Sequence, residues 1–285
     1  MLFYDCSTAP NPRRARMFIA EKGLEIESRD ISMIRGEQLS PEFLKINPLG
    51  TIPVLVTDAG NVLTENIAIA VYLEEVRPDP PLLGRTAEER AMVFNWNAVV
   101  EHEGGQPIAE AFRNSHPAMK GRAVTGPEDF EQIPALAERA FRRIDLFFDL
   151  IEDRLKESEY LAGDVFSLAD ITAFVMIEFA RVVKRRIPED NAASRRWHAA
   201  VKARPSAAAC AVPVPGRAWL DRRRPGTHDR PAPAGAECME GQPMIPAPPM
   251  PRQHAPRTPP PKAGRIAGCT SLRHVAVPGG RGETT

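Results

Sequence analysis

Over residues 1–77 the apolar positions come in short bursts divided by turn-forming residues. Residues 2–6, Leu-Phe-Tyr-Asp-Cys, form a short apolar run that predicts a buried strand. Asn11-Pro12 predicts a helix start with Asn11 as the cap, and Gly23 after Lys22 predicts its stop. Residues 26–31 alternate apolar and polar side chains as a second strand. Ser40-Pro41 opens a short helix. Residues 53–56 and 61–63 flank Asp58-Ala59-Gly60 as a hairpin, and residues 65–76 form a helix with Ile67 and Val71 on its apolar face. The predicted order is βαβ, a short helix, then ββα.

Pro78-Asp-Pro-Pro81 breaks the last helix, and residues 78–85 are read as a linker. From Thr86 onward the period of two gives way to that of a helix. Thr86-Ala-Glu-Glu89 has the form of a capping box, and the helix after it carries Met92, Trp96 and Val100 at intervals of four. Residues 133–155 predict a long amphipathic helix. Ser167-Leu-Ala-Asp170 is a second capping box, with Phe166 and Ile171 placed as a hydrophobic staple. Residues 195–203 predict a late helix with Trp197 and Val201 one turn apart. The fold class expected is therefore an α/β domain over residues 1–77 followed by an all-α domain over residues 86–210.

Composition changes the picture at the C-terminal end. Residues 211–285 hold 15 Pro and 9 Gly with Trp219 as the one aromatic, a composition expected of a disordered tail. That tail carries 11 Lys and Arg against 5 Asp and Glu, a net of +6, which leaves the remaining body at −6. An acidic body argues against nucleic acid as the partner of the folded part. Two readings of the tail stand: a frameshift product from a GC-rich gene, or a basic extension for an anionic partner. Cys6, Cys210, Cys238 and Cys269 lie far apart without metal-ligand spacing, so neither a disulfide framework nor a metal site is expected. With no apolar run of about 20 residues and no secretory leader pattern, no membrane association is expected and a cytoplasmic setting is.

Asn47-Pro-Leu-Gly50-Thr-Ile-Pro53-Val-Leu55, then Leu63-Thr-Glu65-Asn66, with Ser167-Leu-Ala-Asp170 downstream, resembles the glutathione S-transferase superfamily over residues 1–209, in the form of bacterial members with a Ser, Thr or Asn in the first loop. The resemblance implies a thioredoxin-like first domain, glutathione as co-substrate, no metal, and a homodimer. It also implies a cis Pro53, which presents the backbone of Ile52 to the cysteinyl part of glutathione as an added strand does. By the same resemblance Glu65 takes the γ-glutamyl ammonium and Asn66 its carboxylate, at a helix N-terminus that favours an anion. Asn66 stands where the family usually has Ser. Gln38 matches a position that reaches the glycyl carboxylate. Ser167 and Asp170 are structural.

The implied reaction is attack of the glutathione thiolate on a small hydrophobic electrophile. A free thiol has a pKa near 8.5, so the site must favour the anion. The donor must lie in the loop Cys6-Ser7-Thr8-Ala9-Pro10-Asn11. Ser7 and Thr8 suit a hydroxyl donor. Asn11 matches the Asn of a Thr-Pro-Asn motif, although Ala9 stands where that Thr would be. Cys6 suits mixed-disulfide chemistry instead, and Tyr4 is an outlying alternative. The order of preference is Ser7, Asn11, Thr8, Cys6. His102, Phe112 and Arg113 are candidate walls of the electrophile pocket, with Gly104-Gly105 as a kink over it. Three functions compete at this point: a transferase, a glutathione-dependent disulfide reductase, and a non-catalytic binding protein of the same fold.

Overall fold

The computed structural model describes residues 1–211. The expectations for residues 212–285, disorder included, lie outside the described residues. Strand β1 (Leu2–Asp5) pairs in parallel with β2 (Glu27–Asp30) and antiparallel with β3 (Val54–Val56), which pairs antiparallel with β4 (Val62–Leu63). The sheet order is β2-β1-β3-β4. Helix α1 (Pro10–Glu21) connects β1 to β2, α2 (Pro41–Leu44) lies between β2 and β3, and α3 (Asn66–Val76) follows β4.

The period of two sorts the sheet's side chains into two cores. Phe3 sits opposite Leu55, and both join Met17, Phe18, Ile69 and Leu73 of the flanking helices. Tyr4 sits opposite Val54 on the other face, with Ile31, Phe43 and Ile52. Strand β2 departs from its expected alternation: all four of its residues are exposed. It is an edge strand, and the apolar residues flanking it, Ile26 and buried Ile31, hold its ends.

Local signals explain most helix ends. Ser40 Oγ accepts from Phe43 N at 3.2 Å. Gly23, at φ +59°, ends α1 with the two crossed bonds of a Schellman motif, Gly23 N to Ala20 O and Leu24 N to Ile19 O. The start of α1 is a correction. Asn11 is not the cap; Ala9 is, without a side-chain bond, and Pro10 is the first helical residue. Proline's fixed φ suits that position and pushes the residue before it into extended backbone, where Ala9 lies at φ −97° and ψ 143°.

The helical region comprises α4 (Ala87–Val99), a π-helical turn (Val100–Gly105), α5 (Gln106–Ser115), α6 (Pro134–Glu157), α7 (Leu168–Phe179), α8 (Ala192–Lys202) and the short α9 (Pro205–Ala209). Thr86 and Glu89 exchange the two bonds of a capping box. The fully buried positions of α4 are Val93 and Asn97, continuing to the expected Val100, while Trp96 is half-buried and packs against the same core. Met92 is exposed, and Asn97 accepts from the Thr172 hydroxyl at 2.7 Å. Asp170 accepts from the N–H and hydroxyl of Ser167, from Leu161 N and from Trp197 Nε1, each within 3.0 Å. Four donors on one fully buried carboxylate tie α7, α8 and the loop before them together.

The sheet and helical regions share one apolar core. Phe18 and Leu73 belong to the same cluster as Ile144, Phe174 and Trp197. Polar contacts reinforce it: Arg13 lies 5.2 Å over the Phe174 ring, Arg14 pairs with Glu101, and Arg204 meets Glu21 through two bonds of 2.7 and 2.8 Å. Buried Lys22 holds the Pro78 and Pro80 carbonyls and Glu74, which fastens the linker to α1.

Candidate functional site

The sheet topology brings the predicted residues to one end. Strand β1 leaves the sheet at Asp5, and the antiparallel β3 enters it there, since Tyr4 pairs with Val54. The loop after β1 therefore lies beside Ile52-Pro53. Strand β4 runs back in the same direction as β1, so Glu65 and Asn66 emerge at this end. Strand β2, parallel to β1, delivers the segment containing Gln38 there as well.

The Ile52–Pro53 bond is cis, as the resemblance implies. The loop ahead of it is held internally. Asn47 is buried; its Nδ2 donates to Thr51 O and Oγ1, both at 2.8 Å, and its Oδ1 accepts from Leu49 N at 3.1 Å. Gly50 adopts φ +60°, and a Cβ there would sit 2.7 Å from Leu39 Cδ2 and 3.2 Å from Gln38 O. This close approach seats the loop directly against Gln38. Gln38 is buried, and its Oε1 has no partner among the described residues.

Glu65 is the N-cap residue of α3, exposed, and makes no side-chain capping bond. Asn66 is the first helical residue, buried, with Oδ1 unpartnered among the described residues. The first helical bond runs from Ile69 N to Glu65 O, so the N–H groups of residues 66–68 have no partner within the helix.

The loop from β1 to α1 is braced from three sides. Asp5 Oδ1 accepts from Cys6 N at 2.7 Å and also pairs with Arg16. Arg16 donates to Cys6 O at 3.1 Å and Ser7 O at 3.3 Å, and Asp30 Oδ1 accepts from Ser7 N at 3.1 Å. Ser7 is thus exposed on a backbone fixed from both sides. Thr8 is half-buried, its hydroxyl 3.4 Å from the Cys6 thiol. Cys6 is 4% exposed, within the apolar cluster of Tyr4 and Ile52. Asn11 stands exposed on the first turn of α1 and caps nothing.

Comparison with known proteins identifies the family. The glutathione S-transferase N-terminal domain family matches residues 8–76, and the glutathione S-transferase C-terminal domain family matches residues 134–203. The chain is 34% identical over 208 residues to glutathione S-transferase 2 of Saccharomyces cerevisiae, covering 72% of this chain and 87% of that protein. The chain belongs to the glutathione S-transferase family. Among solved structures, it resembles Gtt2 from Saccharomyces cerevisiae with a TM-score of 0.68 and 31% identity, over 74% of this chain and all of the other. A glutathione S-transferase of class Gtt2 from Vibrio parahaemolyticus matches with a TM-score of 0.65 and 32% identity, over 75% and 99% of the two chains.

The helical side of the chain departs from the expected pocket walls. Phe112 is buried and packs edge-on against Phe179, inside the helical core. Arg113 donates to the Arg122 carbonyl at 2.8 Å, holding the connection between α5 and α6; burial, with the nearby Arg122 charge, lowers its pKa. His102 is exposed on the π-helical turn, and its carbonyl accepts from Arg143 at 2.7 Å. Gly104 meets α6: a Cβ there would lie 2.5 Å from Phe147 Cζ. The glycine pair serves close helix packing at a π turn. The α5–α6 connection reaches the sheet region, where a Cβ on Gly126 would lie 3.6 Å from Leu49 O.

Asp5, Arg16 and Asp30 are the site residues that sequence reasoning missed. Apart from the bond between neighbouring Asp5 and Cys6, their bonds join positions 9 to 23 residues apart, and no local motif marks them. Among the described residues no group of His, Cys, Asp and Glu could hold a metal, and no helix is long and apolar enough to cross a membrane.

Proposed function

We propose that the chain binds glutathione at this end of the sheet and conjugates its thiolate to small hydrophobic electrophiles. The carrying observation is the pair of buried amides, Gln38 and Asn66, each with an oxygen that no group among the described residues satisfies. A buried unpaired polar atom costs about 1–3 kcal/mol, and a peptide ligand with amide N–H groups and carboxylates would relieve both. Either amide can rotate to offer its NH2 to a carboxylate instead. Glu65, free of capping duty, takes the γ-glutamyl ammonium; the open N–H groups of α3 and the Asn66 amide take its carboxylate; Gln38 takes the glycyl end; Ile52 pairs with the cysteinyl backbone.

Ser7 is assigned as the donor to the sulfur. Its backbone is braced while its side chain is exposed, whereas the Thr8 hydroxyl already faces Cys6. A hydroxyl donating to the thiolate stabilises the anion over the thiol, at 1.36 kcal/mol per pKa unit. The thiol proton leaves to solvent, the sulfur attacks the electrophilic carbon, and the C–S bond forms as the leaving group departs with its electron pair. Mixed-disulfide chemistry needs an accessible thiolate, and buried Cys6 does not supply one.

A homodimer in a cytoplasmic setting completes the reading. The dimer is what the resemblance to the glutathione S-transferase family implies. The test of function is retention on immobilised glutathione together with conjugation of a generic aryl halide. Ser7→Ala is expected to keep binding and lose about 100- to 1,000-fold in kcat, the range for removing one donor to a developing anion. A wild-type chain that neither binds glutathione nor turns over would overturn the proposal.

A further inference from the structure

A second polar cleft, of about 380 Å³, lies in the helical region between the end of α7 and α8. That volume is within the range of small-ligand sites, about 300–1,000 Å³. Ile177 and Ile187 supply its apolar part, and its basic groups come from three separate stretches: Arg181 from the turn after α7, Arg186 from the loop beyond, and Arg195, His198 and Lys202 from α8. The spacing of the last three, at i, i+3 and i+7, puts them on one helical face.

The charge of this cleft runs against that of the body. Residues 1–210 carry a net of −6, yet four Arg and Lys line the cleft against only Glu178 and Glu189. Glu178 is already committed. It meets His198 Nε2 at 2.9 Å and Arg181 at 3.4 Å, and these neighbours hold its carboxyl below the usual range. Arg195 donates to the Glu189 carbonyl at 2.9 Å. Arg186 and Lys202 are exposed and have no side-chain partner among the described residues.

The backbone is bent to produce this. Lys184 is the one non-glycine with positive φ among the described residues, at +59°. Its left-handed turn, closed by Lys184 N to Arg181 O and Arg185 N to Ala180 O, brings the chain back so that Arg186 faces α8.

We propose that this cleft binds a small polyanion of the phosphate or polycarboxylate type, with Arg186 and Lys202 as its principal contacts and Arg195 beside them. Guanidinium groups suit such oxyanions because they donate in a planar fork. The site lies outside the residues assigned to glutathione, and the inference stands whether or not that assignment does.

The test is calorimetric titration of the full chain with pyrophosphate and, separately, citrate, at fixed ionic strength. Saturable binding of one anion per chain is expected for at least one probe, and which probe binds identifies the ligand class. Arg186→Glu with Lys202→Glu is expected to weaken binding at least tenfold while retention on immobilised glutathione stays unchanged. The charge-preserving pair Arg186→Lys with Lys202→Arg should keep binding within a few-fold, and Lys120→Glu should leave it as in the wild type. Absence of saturable binding in the wild type overturns the proposal. So does undiminished binding in the charge-reversed variant, which would place the anion on the basic tail or in the glutathione site.

Discussion

Gly50→Ala tests how the loop before Pro53 supports the site. Gly50 sits at φ +60°, where an L-residue costs about 1–2 kcal/mol. The added Cβ would lie 2.7 Å from Leu39 Cδ2, a side-chain tip that can rotate, and 3.2 Å from Gln38 O, which must shift by a few tenths of an ångström. The overlap adds roughly another 1 kcal/mol. Alanine also narrows the unfolded ensemble, which offsets about 0.4–1 kcal/mol. The backbone term wins, and a net destabilisation of about 1–2 kcal/mol is expected. Because the displaced atoms belong to Gln38, KM for glutathione should rise several-fold with a smaller change in kcat. Urea unfolding of both proteins at pH 7, alongside initial rates at varied glutathione, measures both quantities. A variant as stable as the wild type, with KM unchanged, would refute the claim that Gly50 seats this loop against Gln38.

Other expectations follow from the packing. Gly104→Ala drives a Cβ to 2.5 Å from the ring of Phe147, which is itself only 1% exposed; a loss of about 1–3 kcal/mol in urea unfolding is expected, and a neutral result would contradict the close approach. Glu152 of α6 accepts from Ala193 N, Ser194 N and the Ser194 hydroxyl at 2.8–3.2 Å, and so caps α8 from another helix. Glu152→Ala should cost about 1–3 kcal/mol at pH 7, since these donors are left unpaired. Burial works to raise the Glu152 carboxyl, but the bonds from Ser194 and Ala193 prevail and hold it below the usual range. A depressed native pKa means the stabilisation is fully present above the ordinary carboxylate value and is lost as pH falls through the native one. The gap between wild type and variant should therefore narrow from pH 6 to pH 3, and a constant gap would show that the charge plays no part. Arg16→Ala removes the donors to the Cys6 and Ser7 carbonyls, and conjugation should fall more than tenfold while retention on immobilised glutathione persists; unaltered turnover would separate the brace from the chemistry.

Much of this architecture was legible because its signals are local. Caps such as Ser40 and Thr86, the stop at Gly23 and the hairpin around Asp58-Ala59-Gly60 each act within a few residues. The motifs around Gln38, Ile52, Pro53, Glu65 and Asn66 were legible too, and the sheet topology brings these residues to one end. Tertiary partners were not legible. Asn97 is buried on α4 where Met92 is exposed, and its partner, the Thr172 hydroxyl, lies 75 residues away. Phe112 and Arg113 read as pocket walls from their helix alone, yet Phe179 and the Arg122 carbonyl claim them. The brace formed by Asp5, Arg16 and Asp30 has the same origin, since its members meet only when β1, α1 and β2 assemble.

The account rests on glutathione lying across the sheet end with its sulfur at the loop after β1. A crystal structure of the full chain with glutathione tests this most directly. The account predicts the sulfur within about 3.5 Å of the Ser7 hydroxyl, the γ-glutamyl group on Glu65 and Asn66, and the cysteinyl backbone paired with Ile52. Glutathione bound with its sulfur against another side chain, or held away from Glu65 and Asn66, would contradict it.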